Sequence, residues 1–194
     1  MKTKNIFKFN ILIIIMFGLI SSPVMAGEIY KVDPDHTYLL FKVKHLKIVN
    51  SHGRFHGPTG KMVWDDVNPS KSSINISVSA NNIDTDVDKR DRHLRSPDFF
   101  NVKKYSTITF ESTKVKILAP ELYEVTGGLT ILGKTLPVTI KVSQTGFGID
   151  PWGKFRRGFE TKFTIKRSDW GMNFMLNAVS DEVVLTVSVE MIRV

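Results

Sequence analysis

The chain has 194 residues, a formal charge of +8, 42% hydrophobic and 24% charged residues, and no cysteine. That length suits one domain with a sizeable core and leaves little for a second. The composition excludes a disordered or fibrous chain, and the lack of thiols excludes disulfides, thiolate metal sites and a cysteine nucleophile.

In chain order, Lys2, Lys4 and Lys8 precede the apolar run Ile11 to Ile20, and Val24-Met25-Ala26 offers a small-residue cleavage point before Gly27. This is the pattern of a secretory signal over residues 1–26. Its removal leaves 168 residues and, because three lysines and no acid leave with it, a charge of +5. No later stretch approaches the roughly 18 to 20 consecutive apolar residues of a membrane helix. An exported chain without cysteine fits a bacterial envelope compartment better than a small disulfide-stapled extracellular scaffold.

Residues 27–194 read as one domain dominated by alternation. Leu39, Phe41, Val43 and His45 share one face of an extended segment, opposite Leu40, Lys42 and Lys44. Ile74, Ile76, Val78 and Ala80 repeat the pattern, as do Phe159, Thr161, Phe163 and Ile165, and then Val183, Leu185, Val187, Val189 and Met191. Further strands are predicted over 60–64, 107–116, 122–131 and 136–143, with turns at Asn68-Pro69, Ala119-Pro120 and Leu132-Gly133-Lys134. About eight one-sided strands predict an all-β fold, a sandwich or a closed antiparallel barrel, and closure removes exposed sheet edges. An outer-membrane barrel is disfavoured, because Lys42, Lys44, Lys162, Lys166 and Glu190 occupy the outward faces.

One stretch breaks the alternation. Thr85 and Asp88 have capping-box spacing, and Ser96-Pro97 has the form of an N-cap followed by proline. Two short helices are predicted, near 86–94 and 97–101, forming a crossover that covers one barrel end.

The candidate chemistry is sparse. His52 and His56 are four residues apart, but Gly53 lies between them and Gly57-Pro58 follows, so a helical metal site is not expected. Asp33 and Asp35 suit a turn, and His36 precedes a strand with an apolar inward face. The run Arg90-Asp91-Arg92-His93-Leu94-Arg95 reads either as a solvated helix face or as an anion-accepting rim. Nucleic-acid binding is not supported, because acids interrupt the basic runs.

Tyr30-Lys31-Val32-Asp33-Pro34-Asp35-His36-Thr37, Phe41-Lys42-Val43-Lys44-His45-Leu46, Gly53-Arg54-Phe55 and above all Arg90 to Phe100 resemble the YceI family of periplasmic lipid-binding proteins. The segments 105–110, 129–135 and 163–172 match in the same order, so the resemblance covers nearly all of residues 27–194. It implies a lipocalin-like antiparallel barrel of eight strands whose long apolar cavity takes polyisoprenoids, including isoprenoid quinones, or similar amphiphiles. It also implies a homodimer, no catalytic residues and no required cofactor.

The resulting expectation is a non-enzymatic periplasmic carrier of a long isoprenoid lipid, with no nucleic-acid partner and no stable membrane insertion. Strand parity places the tail against Phe41, Val43, Ile76, Val78, Phe110, Ile131 and Trp170, with Phe55, Leu94 and Phe163 as further ligand-binding candidates. His36, Asp91 and His93 are expected nearer the polar end, with Phe99 and Phe100 closing the crossover side. The alternative is an envelope stress or protein-interaction module whose barrel is filled by its own side chains.

Overall fold

The computed structural model describes residues 27–194, and the leader read at 1–26 lies outside the described residues. Eleven strands form one antiparallel sheet: β1 (Glu28–Val32), β2 (Tyr38–His45), β3 (Val49–Phe55), β4 (Thr59–Trp64), β5 (Ser73–Ser79), β6 (Ile83–Asp84), β7 (Thr107–Ala119), β8 (Leu122–Ile131), β9 (Lys134–Ile149), β10 (Phe155–Lys166) and β11 (Val179–Arg193). The single α-helix among the described residues is α1 (Asp88–Arg95).

Eight of these strands close a ring in the order β1-β4-β5-β7-β8-β9-β10-β11, with β11 returning to β1 through Tyr30↔Arg193 and Val32↔Met191. The long β11 also carries β2 along its first half, through Val43↔Val183 and Leu39↔Val187. β1 and β2 thus run end to end beside β11, interrupted at Asp33–Thr37. One end of the barrel, the base, is a closed ladder. At the other end β2, β3 and β6 continue the wall, and the ladder stops at β6, whose strand partner is β3. Here α1 and the chain leading to β7 cover the gap, with Ala80 N–H donating to Ser106 O at 2.9 Å.

The turns follow from local chemistry. Leu132 and Gly133, at φ 51° and 70°, form the two-residue hairpin between β8 and β9. The strands predicted from alternation are present, and the shorter or more polar β1, β3 and β6 are additional.

The second predicted helix is absent. Residues 97–101 form turns, with Phe99 N–H and Asn101 N–H both donating to Ser96 O, because Phe99 is drawn into the core and Phe100 packs edge-on against Phe55. The predicted capping box is also replaced. Val87 occupies the N-cap without a side-chain bond, and the Thr85 hydroxyl is engaged by Asp91 and Arg90.

Candidate ligand cavity

Because most of the inward residues that recur at every second position are apolar, the barrel interior is predominantly apolar, with Arg157 buried at one end. Two packed clusters bracket it. At the base, Tyr30, Trp64, Tyr123, Phe159 and Met191 close the ring. Towards the other end, Phe99, Leu129, Ile131, Ile165 and Trp170 pack beneath the crossover, and the Trp170 indole donates to Leu129 O at 3.0 Å.

Between the clusters lies a cavity of about 440 Å³, within the range of roughly 300–1,000 Å³ typical of small-molecule sites. Its deep lining, including Met62, Trp64, Tyr123 and Val125, is buried. His45, His52, Arg90, His93 and Met175 also line it and are exposed, which sets the mouth between the β2–β3 hairpin, α1 and the loop before β11.

The cavity brings together Phe41, Val43, Phe55, Ile76, Val78, His93, Leu94, Phe99, Phe100, Phe110, Ile131, Phe163 and Trp170 from the sequence expectation. Two expected residues lie elsewhere. His36 sits at the break between β1 and β2, exposed and outside the lining, with Nδ1 3.0 Å from Asp33 Oδ2. Asp91 is buried but turns away from the cavity to accept from Thr85 N–H at 3.0 Å and from the Thr85 hydroxyl. The polar groups at the mouth instead include His45, Ser51 and His52. The alternation that placed Val43 inward also places His45 inward, so that signal was available.

Two lining phenylalanines lie over strand glycines. Phe41 faces Gly53 across β2 and β3, and a Cβ on Gly53 would stand 2.3 Å from the ring. Phe110 likewise lies against Gly127, where a Cβ would come within 2.6 Å. The missing side chains let each ring lie back against the wall, which keeps the lumen open.

Arginines stitch the mouth. Arg167, buried at 5% exposure, donates to the carbonyls of Met172, Phe174, Val179 and Ser180 at 2.8–3.0 Å and fixes the loop before β11. Burial lowers its pKa. Arg90 donates to Thr85 O, and Arg95 to Asn81 O and Ile83 O, so these two guanidinium groups fasten α1 beside β6 and form no free anion rim, while Lys89, Arg90, Arg92 and His93 give α1 its solvent-exposed face. His93 packs edge-on to Phe99 and Phe174 beside the opening.

At the base, Arg157 donates to the Tyr30 hydroxyl at 3.0 Å and pairs with Asp66. Its guanidinium lies 5.2–5.6 Å from the ring centres of Tyr30, Trp64, Phe147 and Phe155. Arg156, held protonated by Asp150, Asp33 and Glu190, occupies the exterior cluster that also contains His36. The convergent Asp33, His36 and Glu190 ligand atoms therefore already surround a cation.

The YceI-like domain family matches residues 30–191. The chain belongs to this YceI-like family. A UPF0312 protein of Pseudomonas aeruginosa PAO1 is 44% identical over 171 residues, covering 87% of this chain and 88% of the relative. One from Yersinia enterocolitica is 42% identical over the same shares.

Among solved structures, this YceI-like barrel is similar to Burkholderia cenocepacia BcnA, with a TM-score of 0.75 and 23% identity over 82% of this chain and 98% of that one. The Campylobacter jejuni YCEI protein gives 0.71 and 29%, over 78% and 90%. A polyisoprenoid-binding domain from Saccharophagus degradans gives 0.65 and 17%, over 85% and 98%. These likenesses agree with the closed eight-stranded architecture.

Proposed function

We propose that this YceI-like protein is a non-enzymatic periplasmic carrier, or sequestering protein, for a long isoprenoid lipid such as an isoprenoid quinone or polyprenyl compound. The observation that carries the reading is the continuous apolar lining from Trp64 and Tyr123 at the base to Phe55, Phe99 and Phe100 near the mouth. The related fold of a polyisoprenoid-binding domain supports the ligand class. A five-carbon unit gains roughly 4 kcal/mol on leaving water, at about 0.8 kcal/mol per methylene. A chain of several such units needs an apolar container to cross an aqueous compartment. The cavity weighs against the barrel filled by its own side chains.

The head group would rest among His45, His52 and His93, polar side chains suited to a quinone or phosphate oxygen. No catalytic step is assigned to them. Mass spectrometry of organic extracts from protein purified out of the cell envelope tests the reading, with a co-purified long-chain prenyl lipid expected. Absence of such a lipid, together with no saturable binding of prenyl quinones or prenyl phosphates, refutes it. Mass determination of the secreted form tests the leader, which should end at Ala26, and sedimentation of the same sample tests the homodimer.

A further inference from the structure

Two loops flank the cavity mouth and both present apolar side chains to solvent. The β2–β3 hairpin carries Leu46, Ile48 and Val49, with Ile48 78% exposed, and the loop before β11 carries Phe174, Met175 and Leu176. They are joined, since Leu46 N–H donates to Ala178 O at 2.6 Å, and they form one rim. That rim is continuous with the lumen, because His45 and Met175 also line the cavity. Loose attachment does not explain the exposure: Arg167 ties the loop carbonyls of Met172 and Phe174 to those of Val179 and Ser180 at the start of β11, and the hairpin is paired through Lys44↔Asn50 and His45↔Val49. The structure holds these side chains outward.

The charge on the two rim loops has one sign. The β2–β3 hairpin carries Lys42, Lys44 and Lys47 and no acid, and residues 170–180 carry no charged side chain, while the exposed acids Asp88 and Glu182 stand on the neighbouring α1 and β11. The acids Asp98 and Asp181 on neighbouring elements are engaged by His93 and Ser168. Apolar tips with flanking lysines suit the interface of an anionic bilayer, where the tips enter the acyl boundary and the ammonium groups meet lipid phosphates. Among the described residues no helix is long and apolar enough to cross a membrane, so this contact would be peripheral and reversible.

We propose that the mouth rim formed by Leu46, Ile48, Phe174 and Leu176, with Lys44 and Lys47, docks on an anionic lipid bilayer and sets the cavity opening against it. This deepens the carrier reading by adding a loading and unloading surface, yet the docking itself is measurable without cargo. A second exposed apolar group, Phe147, Ile149 and Trp152, lies at the closed base, where the β9–β10 hairpin ends, and supplies an internal control.

The test is flotation of the purified protein with vesicles of phosphatidylethanolamine and phosphatidylglycerol, compared with pure phosphatidylcholine vesicles. Binding is expected only to the anionic vesicles and should weaken with salt. Ile48→Asp, Leu176→Asp and the double variant Lys44→Glu/Lys47→Glu should each weaken it about tenfold or more, while Trp152→Asp leaves it unchanged. None of these positions lines the cavity, so co-purified lipid should persist in every variant. No flotation, equal binding to phosphatidylcholine, or loss with Trp152→Asp and not with Ile48→Asp overturns the proposal. So does a dimer that Ile48→Asp converts to monomer with flotation intact, which would make the rim a contact between copies. Flotation that depends on the rim in protein devoid of lipid would leave docking standing and remove only the carrier reading.

Discussion

Replacing Val78 with tryptophan separates an open barrel from a filled one. Val78 is 5% exposed, pairs with Ile108 on β7 and faces the cavity. In a filled interior the larger ring would overpack by roughly 1–3 kcal/mol, and a domain of this size loses about 2–4 °C of Tm per kcal/mol, a fall of roughly 2–12 °C. In the cavity of about 440 Å³ the indole has space, so Tm should stay within about 2 °C of the parent, both measured after lipid is stripped. The ring would then occupy volume otherwise open to cargo. Displacing one isoprene unit forfeits up to roughly 4 kcal/mol of transfer free energy. If only about a quarter appears as affinity, Kd weakens about fivefold. Thermal unfolding combined with fluorescence titration of a prenyl quinone reads both quantities. A large drop in Tm with unchanged binding would refute the reasoning.

Gly53→Ala should push the Phe41 ring into the lumen, costing roughly 1–3 kcal/mol and reducing co-purified lipid; Phe41→Leu in the same chain should restore stability, and a neutral single variant would show that the ring does not need the glycine. Arg167→Met strands the four carbonyl acceptors it satisfies, so a loss of about 2–4 kcal/mol is expected, with faster amide exchange over residues 172–178. Asp84 joins β6 to Arg54 and His56, and the hydrogen bond from His56 leads the effects that lower its pKa from 3.8 to about 2. Its folded value lies below the unfolded one, so its contribution is complete above about pH 4 and disappears as pH falls through about 2. Asp84→Asn should flatten that limb of an acid-unfolding curve, and an unchanged limb would remove Asp84 from the account.

The long walls were legible because one-sided burial imposes a period of two, visible in Ile74 to Ala80, Phe159 to Ile165 and Val183 to Met191. β3 was hidden by its own function, since Gly53 leaves space for Phe41 and interrupts the apolar pattern. At residues 97–101, Ser96-Pro97 gave a valid local helix signal, but burial of Phe99 and edge-on packing of Phe100 against Phe55 bent the chain into turns. His36 shows the limit of proximity in sequence: counting back by twos from the inward Leu39 reaches Thr37, and His36 faces the other way. Asp91 shares a helix face with Leu94 and is buried, yet its partner is Thr85 and not the lumen. The Arg157 ring cage is assembled from four strands and has no local signature.

The stop of the ladder at β6 divides the barrel into two mechanical parts hung on β11. The base is a keel, where any widening breaks backbone hydrogen bonds all round. The mouth is a collar with an unlaced seam under α1, where widening strains Arg95, Arg90 and the ring contacts of His93 but leaves every ladder intact. Resistance to widening therefore rests on backbone ladders at the base and largely on the contacts of residues 85–106 at the mouth.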